Sequence, residues 1–177
     1  TAPPAATGGC WPSAWRSKRC SGGCPRQGAE APSATGWHPR VESSPVKTAR
    51  QLVDEALAVV HSLSVDDLRA RASAPGLCLL DIREAEELAR EGTIRGALHV
   101  PRGVLEFRID PASPWVDAQL AAGAQQWVLF CAIGWRSALA AKALQDMGLH
   151  GVSHLGGGFR AWVAAGGPVE PWPGPQP

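Results

Sequence analysis

A nucleophile, a cation and a hydroxyl fall within seven residues, Cys131-Ala132-Ile133-Gly134-Trp135-Arg136-Ser137. The apolar residues Trp127, Val128, Leu129 and Phe130 precede the cysteine and read as a strand. A helical pattern follows, with Leu139, Ala140, Ala143, Leu144 and Met147 at the spacing of one buried face. Gly148 stands after the last of them, where a helix finds its left-handed stop. A cysteine between a strand's carboxyl end and a helix's amino end sits where open α/β sheets bind ligands. Main-chain amides of residues 132–137 can converge on its sulfur, and the helix end adds partial positive charge. Arg136 adds a full charge beside it. A free thiol titrates near pH ~8.5 and such surroundings bring it to roughly 3.5–7.5, so the expectation is a reactive thiolate in a small anion-binding cradle. A buried structural cysteine at a strand end is the alternative that the local pattern leaves open.

The rest of the chain must hold that strand and helix in place. Leu52, Val53, Ala56, Leu57 and Val60 predict one face of a first helix, followed by a short extended piece at residues 61–63. Ser64 then predicts the cap of a second helix whose first turn is acidic. Leu77 to Ile82 is a continuous apolar run, as in a parallel strand buried on both faces, with Cys78 as a small core residue. A charged helical turn over 83–91, a short strand over 97–100 and a helix over 102–110 follow. Pro111 to Pro114 reads as a turn. Beyond the central unit come a final strand over 152–155 and a last helix starting in Gly156-Gly157-Gly158. Strands alternating with helices imply an α/β fold with a parallel sheet covered on both faces. About 120 residues suffice to bury roughly two-thirds of their unfolded surface in one core.

Residues 1–47 differ from this pattern. They are rich in Pro, Gly, Ser and Ala and lack both periodicities, so a disordered tail is expected. Residues 171–177 read as a second, Pro-rich tail. Up to Arg50 there are seven basic residues against Glu30 and Glu42, and beyond it the balance is −4, a split hidden by the net charge of +1. That acidic remainder gives no footprint for nucleic acid. No run approaches the ~18 apolar residues of a membrane helix. Cys10, Cys20, Cys24 and His38 form a weak zinc alternative without a C-x-x-C pair. An organelle transit peptide fits the Arg and Ser content, but Pro and Gly count against an amphipathic helix, and a secretory segment lacks its apolar core. Met147 is the sole methionine, so the chain as given is processed, a fragment or read from an unusual start, and residues 1–47 are expected to be non-native upstream sequence.

Residues 48–170 resemble a single-domain rhodanese, of the sulfurtransferase family. The first signature lies in LLDIREAEELAREGTIRGALHVP, through Asp81, Arg83, Glu86, Gly92, Ile94, Gly96, Ala97 and Pro101. The second is the Cys131–Ser137 loop. The third is LGGGFRAWVAAGGPVE, through Gly157, Gly158, Phe159, Trp162, Gly166 and Pro168. Each is weak alone; three in order are specific. The resemblance implies a three-layer α/β/α rhodanese-like fold with a parallel sheet of about five short strands.

It also implies the chemistry. Cys131 matches the cysteine that accepts sulfane sulfur from thiosulfate or a persulfide and passes it to a thiol or cyanide. Ala132, Ile133, Gly134, Trp135, Arg136 and Ser137 match the substrate-binding loop. Arg136 would bind donor oxyanions or hold the loop. The resemblance implies no cofactor, partners that are small sulfur anions, thiols or a protein persulfide, and a cytoplasmic enzyme. Its rival is a persulfide carrier or sensor serving a protein partner. A catalytically idle interaction domain is a third reading, against which the intact Cys131 argues. The C-x4-R loop resembles the sulfurtransferases, whereas related phosphatases carry C-x5-R. Ile133 and Trp135 make an apolar rim that suits a larger thiol better than a small anion.

Other residues have plainer readings. Asp81 and Arg83 are expected in a structural network, Glu86 and Glu87 on a solvated helix face, and Trp162 in the core. His99 and His154 are expected as satisfied core histidines, without metal-ligand spacing. Arg102 and Arg108 are candidates for the pocket mouth. Gly156–Gly158 lacks the Lys and Ser/Thr of a phosphate loop.

Overall fold

The computed structural model describes residues 46–71, 74–121 and 126–174. Helix α1 (Ala49–Leu57) opens on a capping box: Thr48 Oγ1 accepts the Gln51 N–H, and the Gln51 carboxamide accepts the Thr48 N–H. Strand β1 (His61–Leu63) leads to α2 (Val65–Arg71), where Ser64 and Asp67 make the same reciprocal pair. Then come β2 (Leu77–Asp81), α3 (Ala85–Glu91), β3 (Thr93–Ile94) and β4 (Leu98–His99). A 3₁₀ turn (Arg102–Val104) enters α4 (Leu105–Ile109), followed by α5 (Ala118–Ala121) and β5 (Gln126–Phe130). The chain continues through α6 (Trp135–Asp146), β6 (Val152–Leu155), α7 (Gly158–Ala164) and β7 (Val169–Glu170).

Five strands form one parallel sheet in the order β1-β6-β5-β2-β4. β5 is central, with Leu77–Asp81 beside Gln126–Phe130 on one side and Val152–His154 beside Trp127–Leu129 on the other. Side chains alternate across it with the period of two that a pleated strand imposes. Leu79, Val128 and Phe130 pack with Leu68, Phe159 and Trp162 on one face. Leu80, Leu129 and Cys131 pack with Leu105, Ala140 and Leu144 on the other. The three-layer α/β/α arrangement and the five-strand parallel sheet expected from sequence are therefore present. Among the described residues no helix is long and apolar enough to cross a membrane.

Topology fixes where ligands can bind. From β2 the chain crosses to β4 on one side of it, and from β5 to β6 on the other. The carboxyl ends of β2 and β5 thus flank the switch point of the sheet, the crevice where open α/β folds hold ligands. Cys131 follows β5 there, and Ile82 and Arg83 follow β2.

Several expectations need correction. On α1, Val53 and Ala56 are buried with Val60, but Leu52 and Leu57 are exposed at the flanks. On α6 the buried residues are Ser137, Ala138, Ala140, Ala141 and Leu144, while Leu139 and Ala143 are half-buried and Met147 is exposed. Short side chains let this helix approach the sheet closely, so its inner face is marked by small residues rather than by large apolar ones. Gly148 does end it in the left-handed region, with Leu149 N–H donating to Leu144 O and Gly148 N–H to Gln145 O. The strand at 152–155 is not the last: β7 pairs antiparallel with β3, two residues each, too short to show a period. The zinc alternative at Cys10, Cys20, Cys24 and His38, and the disorder expected over residues 1–47 except for Val46 and Lys47, lie outside the described residues.

Leu129 is fully buried in the central strand. Leu129→Ala is expected to cost about 2–5 kcal/mol, whereas Leu52→Ala on the exposed flank stays within about 0.5 kcal/mol; urea unfolding of the two variants compares them.

Candidate functional site

The cradle is a loop pulled taut between α6 and α7. Phe159 N–H donates to Cys131 O at 2.8 Å and Arg160 N–H to Ala132 O at 3.0 Å, so the otherwise orphaned amides of the first turn of α7 bind loop carbonyls. Across a trans peptide the N–H points opposite to the C=O. The amides of Ala132 and Ile133 therefore face away from α7. Gly134 N–H reaches Cys131 Sγ at 3.2 Å. Gly134 sits at φ 92°, a left-handed conformation that its neighbours along the loop do not adopt. Gly158, at φ 62°, must be glycine for a second reason: a Cβ there would collide with the Cys131 carbonyl.

Two charged assemblies frame the loop. Arg136, at the start of α6, makes a bidentate pair with Glu87 of α3, Nη1 to Oε2 at 2.7 Å and Nη2 to Oε1 at 2.8 Å. That pair crosses the switch point from the helix after β5 to the helix after β2. The Arg136 guanidinium holds the Glu87 carboxyl down at about 2. Glu87 and, less strongly, Cys131 raise Arg136 above its ordinary value. Below the loop, Arg83 is fully buried. It donates to Asp81 Oδ1 at 3.0 Å and Oδ2 at 2.7 Å, to Glu91 Oε2 at 3.1 Å and to Gly92 O at 2.7 Å. Its guanidinium lies 3.9 Å from the centre of the Phe159 ring. Thr93 Oγ1 donates to Asp81 Oδ2 at 2.8 Å. A buried guanidinium with this many acceptors is a structural tie.

A family model described as a rhodanese-like domain matches residues 64–165. The chain belongs to the rhodanese-like family. Among solved structures, a protein of unknown function from Rhodopseudomonas palustris, described as a possible tyrosine phosphatase, is 41% identical. The match covers 72% of this chain and 97% of that one, with a TM-score of 0.68. The human single-domain sulfurtransferase TSTD1 is 29% identical over 58% of this chain and 95% of its own, with a TM-score of 0.50. A thiosulfate sulfurtransferase from Pseudomonas aeruginosa is 27% identical over 63% of this chain but only 19% of its own, with a TM-score of 0.53. No curated protein matches the chain.

In this rhodanese-like domain the seven sequence-predicted site residues run from the end of β5 through a bend into the first turn of α6. Cys131 is 0% exposed, whereas Ile133 (41%) and Trp135 (43%) are exposed and Ala132 is half-buried. Arg50 of α1 lies 5.5 Å from the centre of the Trp135 ring. Ser137 is buried and faces inward: its Oγ donates to Gly134 O at 3.1 Å. That leaves it to accept from His154 Nδ1 at 3.4 Å, while His154 Nε2 accepts the Ser62 hydroxyl at 2.7 Å. Burial lowers the His154 pKa, so this neutral tautomer suits its place. His99 Nε2–H donates to Arg83 O at 2.9 Å. Arg102 is paired with Glu106. Arg108 is paired with Asp117 beside an apolar groove lined by Val104, Phe107 and Trp115, a groove that Cys131 does not line.

Glu87 was expected on a solvated face with Glu86; Glu86 is exposed, but Glu87 is joined to the loop. The two partners are 49 residues apart, and their joining depends on the crossover between β2 and β5. Arg136 is thus engaged by the Glu87 carboxylate through both terminal nitrogens.

Glu87 has a depressed folded pKa, so the unfolded chain takes up its proton first. The stabilisation present above the ordinary value of 4.5 is lost as pH falls toward about 2. Urea midpoints measured across that acid range should drop more steeply for the native chain than for Glu87→Gln. Gly158→Ala should cost about 1–3 kcal/mol from backbone strain alone, with more from the collision, as read by denaturant unfolding.

Proposed function

We propose that the domain is a sulfurtransferase that carries sulfane sulfur on Cys131. The observation that supports this most directly is the placement of the Cys131 sulfur past the central strand, at the switch point, with a loop amide donating to it. Membership of the rhodanese-like family and likeness to the human sulfurtransferase point the same way. The Cys131 thiolate attacks the outer sulfur of a donor. A Cys131 Sγ–S bond forms, the donor's S–S bond breaks, and the remainder leaves with the electron pair. With thiosulfate the leaving group is sulfite. Cyanide or a thiolate then attacks the outer sulfur of the Cys131 persulfide and restores the thiolate. This is covalent catalysis with ping-pong kinetics. Oriented amides stabilise the persulfide anion without reorganising. No general base is needed for a nucleophile that enters ionised, and no histidine contacts the sulfur in the bonds described. The partners of this reading are small sulfur anions and thiols.

Three observations bear on its rivals. The C-x4-R loop is one residue shorter than the phosphatase pattern, and its arginine is engaged by Glu87. Both disfavour phosphate, although the Rhodopseudomonas protein is described as a possible phosphatase. The fully covered sulfur and the exposed Ile133 and Trp135 of the same loop favour a second reading, a persulfide carrier whose loop meets a protein partner. Incubation with a sulfane donor should add the mass of one sulfur atom to the native chain and none to Cys131→Ser at that site. Steady-state transfer to cyanide should fall by at least about 10³-fold in the variant. Loading without appreciable turnover would favour the carrier.

A further inference from the structure

Resting on that sulfur-transfer reading, we propose that the donor which loads Cys131 is the persulfide of a thiol rather than thiosulfate, and that Glu87 is the specificity-determining residue. The argument is one of charge at the switch point. Arg136 is the cation nearest Cys131 in sequence, that cysteine helps to raise its pKa, and each of its terminal nitrogens donates to Glu87. The pair is electrically neutral and partly sheltered, with side-chain exposures of 37% and 22%. Arg50, at the rim over Trp135, is likewise paired with Asp54 at 2.9 Å. Arg160 approaches the loop through its main chain, and its residue is exposed, where solvent and salt screen its charge. Among the described residues, the cradle thus offers oriented amides and, beside the sulfur, a guanidinium whose charge Glu87 balances.

Donor chemistry divides on that point. Thiosulfate brings two negative charges to a thiolate, so three must gather in a covered site. A thiol persulfide in its protonated form brings none. The Cys131 thiolate attacks the outer sulfur of R–S–SH; the Cys131 Sγ–S bond forms and the donor S–S bond breaks. R–S⁻ leaves with the electron pair, and the proton stays on the transferred sulfur. No external oxidant or reductant enters. The Glu87 carboxylate cancels the attraction that the Arg136 charge would exert on the dianion, and it matters little to the neutral donor. Ile133 and Trp135, exposed at the rim, offer apolar surface to the carrier's carbon chain.

The test uses the full chain, with thiosulfate and the persulfide of 2-mercaptoethanol, a neutral carrier, as donors. The readout is the second-order rate of sulfur addition by intact mass. The persulfide is expected to load Cys131 at least about tenfold faster, and Glu87→Gln, which keeps an acceptor for Arg136 but drops the charge, should raise the thiosulfate rate about tenfold, or about 1.4 kcal/mol. Should the variant fail to fold, salt on the native chain decides: screening should raise the thiosulfate rate and leave the persulfide rate unchanged. Equal rates for the two donors, or a thiosulfate rate indifferent to both the substitution and salt, overturns the preference while leaving the sulfur-transfer reading intact. Loading by neither donor overturns both.

Discussion

The loop around Cys131 exists because another helix spends its first hydrogen bonds on it. The amides of Phe159 and Arg160 would be unsatisfied at the start of α7; here they bind the carbonyls of Cys131 and Ala132. Turning two carbonyls toward α7 turns the next amides the other way and sets the orientation of the whole turn. Left-handed glycines at 134, 157 and 158 make the approach possible, since side chains at 134 or 158 would press on the opposing backbone. Everything attributed to the sulfur follows from this arrangement. A cysteine at a strand end is common; one under a turn held from outside by a second helix is the arrangement on which the proposed site rests.

Beneath it, Arg83 gives the sheet edge its rigidity. A guanidinium without exposure survives only when its donors are used, and Asp81, Glu91 and Gly92 use them. Asp81 is further fixed by Thr93, and Phe159, whose main chain holds the loop, lies against the Arg83 side chain. The carboxyl end of β2 and the first turn of α7 are thereby connected through one side chain. Ser62, His154 and Ser137 make a lighter counterpart on the other side, ending at the Gly134 carbonyl.

Much of this was legible from residue order because the signals were local. Trp127–Phe130, Cys131 and the following helix occur consecutively, and period and punctuation identify them. The family signatures then assigned Asp81 and Arg83 to a structural network, where they are. What could not be read was contact across the fold. Glu87 and Glu86 look alike in sequence, and only the crossover that sets α3 beside α6 separates them. The inner face of α6 was misplaced because the sheet selects Ser137, Ala138 and Ala141 for their size, while Met147 is apolar yet outside. Leu52 and Leu57 were misassigned for a related reason: a narrow contact stripe leaves apolar residues on its margins.

The small antiparallel pair at the periphery bears on how the molecule can be handled. β7 lies across β3, in register Thr93 with Glu170 and Ile94 with Val169, and it crosses Gly92, whose carbonyl Arg83 uses. Two residues on, Trp172 meets His99 edge-on at 5.0 Å, and His99 donates to the Arg83 carbonyl. The span matched to the family ends at residue 165, short of β7 and Trp172. An excised fragment cut at that boundary would lack both the strand that covers Gly92 and the Trp172 ring that meets His99.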